Sequence, residues 1–440
     1  MTSSGKVTEW LNTARQRIVP TVAPGTYPYL RQADGQQTRF HLRVDEDGSG
    51  LLLANATMAA RLTPSGATIA RRLLDGDDPP RIARDVRHGY RGATPESVRA
   101  DLESVQQLIA TLSAPGDNYP ILNLADTAFG VGPGLEKPLT ADLPLADPER
   151  LVPILDRLWR IGIPHVIFQV LPRADVKWSV RAVERAEDLG MIAGVRGAAS
   201  ALSQGSLLKD LALAGVDHVD LYCLSADPAE HDAVFGPGDH DALCRAVAEL
   251  LALEVCPVAE IPLLERTAPA ADATVEGLIP LGVANLAFFA LAMHDSMPEQ
   301  ARTGSLTPDA VVQAALLIEE SSADWSVRSL WYPPVSRDAR WSLADQIRRG
   351  PGSSGDHAIR VAPDGNAYAP RGRSVGIGNV LFDDWPTIRS HLISRPVPSE
   401  PVPCETCPGL AICAAGCPRS PGGWVESWPD DVLDRKAPQR

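Results

Sequence analysis

Hydrophobic and polar positions change rhythm along the chain. Near the start, residues 38–62 read as strands: "RFHLRVDE" alternates, "DGSG" turns, "LLLAN" returns and "MAARL" adds a third strand. The period then lengthens. "TPSGATIARRLLDG" opens like a helix, with Thr63 as cap, Pro64 at the first position and Gly76 as the stop. "PPRIARDVRHGY" predicts a second helix and "TPESVRADLESVQQLIATL" a third, capped by Thr94 with Pro95 next. In the third, Val98, Leu102, Val105, Ile109 and Leu112 recur at alternating steps of four and three, which gives one buried stripe. A short β-meander followed by three helices predicts a small winged-helix-like domain, and "SAPGDNYP" reads as a linker.

From residue 121 apolar runs alternate with helical patterns. The predicted strands are "ILNLA" (121–125), "HVIFQV" (165–170), "MIAGV" (191–195), "HVDLYC" (218–223), "VCPVAEI" (255–261) and "ANLAFFAL" (284–291). Helical segments separate them, several ending in Gly, where a left-handed cap is expected. Strands apolar on both faces, each followed by a helix, predict a parallel sheet covered by helices. Six such units fit a partial (β/α)6 TIM-like barrel, although spacing alone also admits an open sheet. After about residue 325 the pattern loosens into a hairpin about Asp364-Gly365, then loops and a Pro-, Gly- and Trp-rich tail. Trp424 and Trp428 in that tail suit either a partner surface or packing around a pinned loop.

Composition narrows the class. The 440 residues are 44% hydrophobic and 22% charged, as in a folded globular chain of two or three domains. A formal net charge of −14 disfavours nucleic acid, and the Arg71, Arg72, Arg81, Arg84 and Arg87 stretch reads as a solvated helical face. No apolar run is long enough to predict a membrane span, and "MTSSGKVTEWLNTARQR" has no apolar signal core, so a cytoplasmic protein is expected.

Four of the seven cysteines fall in "CETCPGLAICAAGC" as C-x2-C-x5-C-x3-C: Cys404, Cys407, Cys413 and Cys417. Paired thiolates two residues apart grip a metal from a tight turn, and Gly409 and Gly416 permit the reversal that brings the second pair around. Tetrahedral zinc and an iron–sulfur cluster both fit four thiolates. Cys223, Cys244 and Cys256 sit in apolar runs and read as core thiols. His218 lies five residues before Cys223, so on one strand the two face opposite sides. Asp227, His231 and Asp232 follow a strand end, where they suit either a polar site or helix capping. "GVGPG" lacks the Lys-Ser/Thr of a phosphate loop.

Taken together, these segments resemble a known family. "PDGNAY", "GIGNVLFDDW" and the four cysteines resemble the SPASM extension of radical S-adenosylmethionine enzymes, whose cysteines serve auxiliary iron–sulfur clusters. Residues 121–291 resemble the partial barrel of the same enzymes. "HVDLYCLSADPAEHDAVFG" is similar to a family motif through Ser225, Asp227, His231, Asp232 and Gly236. Residues 25–112 resemble the PqqD-like peptide-chaperone fold, the recognition element that binds leader peptides of ribosomally made peptides. The implied organisation is a peptide-binding domain at 25–115, a barrel at 121–325 and a cysteine-rich extension at 340–440.

The chain departs from the family at its chemistry. The resemblance implies C-x3-C-x2-C after the first barrel strand, holding the [4Fe–4S] cluster that cleaves S-adenosylmethionine. Aligning "LNLADTAFGVGPGL" puts Ala128, Gly132 and Leu135 at those positions, and no cysteine precedes Cys223. Where the family grips the methionine amino group with "GGEP", this chain has Gln169, Val170 and Leu171 before Pro172. Ala369 or Pro370 stands where the extension carries another cysteine. At most one four-thiolate site remains, for one [4Fe–4S] cluster or zinc. The expected protein is a pseudoenzyme without catalytic residues: a scaffold for a precursor peptide, paired with an active maturase or a second copy of itself. The leader would add a strand beside "MAARL" and pack on the third helix, meeting Met58, Arg61, Leu62, Arg99 and Gln106. The alternatives are a family enzyme with altered, non-radical or cluster-relay chemistry, and a DNA-binding regulator, which the net charge disfavours.

Overall fold

A computed structural model describes residues 22–33, 36–54, 58–90, 92–113, 137–138, 140–171, 174–289, 308–324, 328–332, 358–368, 376–393 and 434. The chain divides at residue 121 into two compact units.

In the first unit an antiparallel sheet runs in sequence order: β1 (Gly25–Ala33), β2 (Gln36–Val44), β3 (Gly50–Ala54) and β4 (Met58–Leu62). The alternating pattern had marked only the last three. β1 carries Pro28 and lies at the sheet's edge, where a strand tolerates a residue that cannot donate to a ladder. Three helices follow: α1 (Pro64–Leu74), α2 (Pro79–Gly89) and α3 (Pro95–Ser113). Thr63 caps α1, its Oγ1 accepting from Gly66 N at 3.1 Å. All five residues of the α3 stripe are buried, and they pack with Phe40, Leu42, Ile69 and Val86 in one core. Tyr90 crosses that core with its polar end satisfied, bonding Thr68 Oγ1 at 2.6 Å and donating to Pro64 O at 2.9 Å.

The second unit is built on a ten-stranded sheet. Seven parallel strands follow one another in sequence order: β5 (Thr140–Pro144), β6 (His165–Gln169), β7 (Ile192–Gly197), β8 (His218–Tyr222), β9 (Cys256–Pro262), β10 (Asn285–Phe289) and β11 (Arg328–Tyr332). The connecting helices are α4 (Pro148–Ile161), α5 (Trp178–Leu189), α6 (Ala199–Leu202), α7 (Leu207–Ala214), α8 (Pro228–Phe235), α9 (Asp239–Ala252), α10 (Ala271–Leu278) and α11 (Pro308–Asp324). α4, α5 and α7 stop at left-handed Gly162, Gly190 and Gly215, where the absent Cβ removes the penalty of positive φ.

A doubly wound sheet reverses its strand order at a switch point; the run from β5 to β11 does not, so right-handed crossovers place its helices on one face. Ala141 and Leu143, Val166 and Phe168, Ala193 and Val195, and Val219 and Leu221 point into the core shared with the helices. The alternate residues, including Asp142, His165, Arg196, His218 and Glu260, are buried too, on the opposite face. A sheet buried on both sides, with helices on only one, curls around its second face, as in a barrel.

The sequence-predicted strand at 121–125 lies outside the described residues. The place beside β6 belongs to β5, whose "TADLP" lacked the apolar run that marked the other strands. At its far side β5 pairs in parallel with β12 (Ala358–Val361), which continues antiparallel into β13 (Asn366–Tyr368) and β14 (Gly376–Asn379), followed by α12 (Trp385–Ile393). The hairpin predicted at Asp364-Gly365 is therefore part of the barrel's sheet. Asn379 locks it, its Nδ2 donating to Asp364 O at 3.0 Å and to Asn366 Oδ1 at 3.1 Å. Arg157 of α4 ties this segment down through Val380 O at 2.9 Å and Asp383 O at 3.0 Å. The "PDGN" and "GN" motifs thus have a structural task within the chain.

Candidate functional site

The inner face of the sheet carries charge. Alternate strands of a (β/α) barrel contribute side chains to common layers, and two such layers occur here. In the first, His165 of β6 and His218 of β8 meet Nε2 to Nε2 at 2.8 Å across the intervening β7. They can meet because β7 presents Gly194 between them; a Cβ there would lie 2.1 Å from His218 Cε1. Thr140 Oγ1 lies 3.3 Å from His165 Nδ1, and His218 Nδ1 lies 2.5 Å from Asp220 Oδ1.

The second layer joins β5, β7 and β9. Arg196 donates from Nε to Glu260 Oε1 at 2.6 Å and reaches Asp142 Oδ2 at 3.4 Å and Asp220 Oδ2 at 3.7 Å. Arg360 of β12 is fully buried and stands in register with Asp142. Three carboxylates and a guanidinium are thus held at 1–3% exposure, where a charge persists only when paired.

Burial pushes the Glu260 carboxyl well above the usual carboxylate range; Arg196 opposes the shift, while Asp220 and Asp142 reinforce it. Burial would also raise Asp220, but the charge and hydrogen bond of His218, with Arg196, outweigh it and hold Asp220 low. Burial, then His218 and Arg196, holds His165 well below the ordinary imidazole value, so it is neutral.

The motif after β8 has a different task. Ser225 Oγ accepts from Asp227 N at 3.1 Å, and Asp227 caps α8 by accepting from Ala229 N at 2.8 Å. His231 Nδ1 accepts from Leu224 N at 3.3 Å, which leaves Nε2–H to donate to Asp239 Oδ2 at 2.9 Å. Asp232 accepts from Gly238 N and His240 N at 2.7 and 2.9 Å, and Gly236 ends α8 at φ 105°. Each of these groups is spent on the turn between α8 and α9.

Cys223 and Cys256 are buried and Cys244 is half-buried. Cys223 faces the helices, where burial pushes its thiol up to about 12, and burial also raises Cys244. Neither is an activated nucleophile. Of the residues expected to meet a peptide, Met58 begins β4, Leu62 packs in the core, and Arg61, Arg99 and Gln106 are exposed. Cys404, Cys407, Cys413 and Cys417 lie outside the described residues, as do Ala128, Gly132, Leu135, Pro172, Ala369 and Pro370. Among the described residues no group of three or more His, Cys, Asp or Glu is arranged to hold a metal ion, and no helix is long and apolar enough to cross a membrane.

Sequential parallel strands, their helices and the appended β12–β14 segment make up an α/β fold. Three solved structures share it. SuiB of Streptococcus suis bound to S-adenosylmethionine is similar at TM-score 0.53 and 12% identity, over 92% of this chain and 100% of that one. SuiB bound to its precursor peptide SuiA is similar at TM-score 0.54 and 11% identity, over 93% and 100%. SuiB in a further crystal structure is similar at TM-score 0.50 and 10% identity, over 78% and 85%. At such identities the likeness shows the fold alone. No family model matches the chain, and no curated protein matches it.

The residues present do not fit the cluster that this fold implies. The described strand preceding β6 passes to its helix through only Leu145, Ala146 and Asp147, and no cysteine precedes Cys223 in the sequence. At the end of β6, Gln169, Val170 and Leu171 are buried at 0, 9 and 6% exposure.

Proposed function

We propose that this chain binds the precursor peptide of a ribosomally made peptide pathway and presents it to an active maturase, or to a second copy of itself, without cleaving S-adenosylmethionine. The observation that carries the reading is the likeness of 93% of the chain to SuiB bound to a precursor peptide. The missing thiolates before residue 223 separate binding from radical chemistry. The peptide would extend the first unit's sheet at β4, an edge strand, with main-chain bonds supplying affinity and side-chain pockets the specificity. Arg61 of β4 and Arg99 and Gln106 of α3, all exposed, would read it. In this reading the four C-terminal cysteines hold one metal centre, zinc or a single cluster, that pins the tail.

The test is calorimetry of the full chain with synthetic leader peptides encoded beside its gene. One leader is expected to bind, with affinity lowered in Arg99→Glu. Failure to bind every neighbouring precursor and maturase contradicts the reading.

A further inference from the structure

We propose that the solvent face of α2 docks an acidic peptide segment through Arg81, Arg84 and Arg87. This deepens the peptide reading above and rests on it only for the identity of the peptide, which in that reading is the precursor. The strip lies on a different element from the β4 edge and supplies charge recognition that main-chain pairing lacks.

The α2 sequence "PPRIARDVRHG" buries Ile82 and Val86, four residues apart, as its inward stripe. Arg81, Arg84 and Arg87 recur at steps of three and, with His88, face solvent. The side chains of Arg81 and Arg84 are 62% and 64% exposed. The other arginines of this region are committed within the unit. Arg71 lies 3.9 Å from the centre of the Tyr27 ring and pairs with Asp75 at 2.9 Å. Arg72 bridges Asp77 and Asp85 at 2.5 and 2.7 Å. Those two aspartates are therefore already held, and Arg81 and Arg84 reach them only at 3.9 and 3.8 Å. Among the described residues Arg87 and His88 enter no ion pair.

The helix itself does not need this arrangement. Like charges three residues apart on one face repel, and both the Arg81–Arg84 and Arg84–Arg87 spacings are of that kind. Arg87 and His88 sit in the last turn, where a positive charge suits the helix dipole, but Arg81 sits in the first turn, where it opposes it. A local rule broken without a local gain marks a functional surface. The occupant follows from charge and length. The strip is basic on a chain of net charge −14. From Arg81 to Arg87 the helix rises about 9 Å, a span that roughly three extended residues cover. A short run of Asp or Glu therefore sets its carboxylates against successive guanidinium groups, which take them by paired N–H donors. A phosphate backbone running on past the strip would meet an acidic chain.

Fluorescence anisotropy of a labelled synthetic peptide carrying a run of glutamates, titrated with the full chain, tests this. Binding is expected at low salt, weakening as added salt screens exposed charges, and about fivefold weaker in Arg84→Glu. That variant keeps its helix, because an acid at this position stands three residues from both Arg81 and Arg87. Arg160→Glu, at an exposed position of α4, changes the net charge equally and is expected to bind as the wild type does. Absence of probe binding at low salt, unchanged binding in Arg84→Glu, or an equal loss in Arg160→Glu would each overturn the proposal. So would tighter binding of duplex DNA that is lost in Arg84→Glu, which assigns the strip to nucleic acid. Leader peptides separate the two readings. A leader that binds equally well to the wild type and Arg84→Glu overturns the strip and leaves the β4 edge standing. Probe binding through Arg84 by a chain that binds no leader supports the strip and contradicts the precursor reading.

Discussion

Gly194 shows how a single missing atom sets up a site. A methyl at that position would meet a ring that is itself buried and bonded at both nitrogens, so neither side can yield cheaply. Gly194→Ala is therefore expected to destabilise the second unit by roughly 1–3 kcal/mol, the usual range for overpacking, seen as a lower urea midpoint. His41 of β2 gives a second prediction at this scale. Burial, with Arg39 nearby, lowers its imidazole to about 4. The folded chain then binds fewer protons than the unfolded chain between the ordinary value and that one, so stability falls as pH drops through this window. Urea midpoints measured from pH 7 down to 4 are expected to show the loss, and His41→Gln to flatten it. The charged inner face was visible in the sequence only in retrospect. His218 and Asp220 in "HVDLY" stand two apart within an apolar strand. Read as apolar on both faces, these strands concealed a polar second face. The period of two was the signal, and the partners across strands were not legible without the register.

Elements with strong local rules were read well. The caps and periodicity of α1, α2 and α3 gave their positions, because the stripe spacing and the Thr-Pro starts are local features. Thr63→Ala removes the bond to Gly66 N. It is expected to cost about 0.5–2 kcal/mol, checked by thermal or urea unfolding, with Thr63→Ser retaining most of the stability. The elements missed are those whose strand character comes from neighbours. β1 has a proline and an exposed edge, and β5 spells "TADLP", so each is a strand because a partner supplies the ladder. The same holds for β12 to β14, whose turn was legible at Asp364-Gly365 but whose attachment to β5 was not.

At the scale of the molecule, the order of strands carries most of the meaning. Seven parallel strands in unbroken sequence, with helices on one side, leave an inner face that must be filled by something. In this chain ionisable side chains fill part of it. The sequence resemblance pointed to the barrel, and the fold agrees with SuiB over most of both chains. That no cysteine precedes Cys223 was legible outright, while the buried row of charged side chains depends on packing and was not. If the four C-terminal cysteines form one metal site, as proposed, anaerobically purified protein is expected to carry either one zinc or a single cluster's iron per chain; iron enough for two clusters would contradict that count.

In the function proposed above, the fold shared with SuiB is kept without cleavage of S-adenosylmethionine. The most direct measurement is S-adenosylmethionine cleavage by the full chain after anaerobic reconstitution with iron and sulfide and addition of a strong reductant, with and without the leader peptide. No methionine release above that of Cys404→Ala/Cys407→Ala protein treated in the same way is expected. Reductant-dependent release that exceeds this control would contradict it.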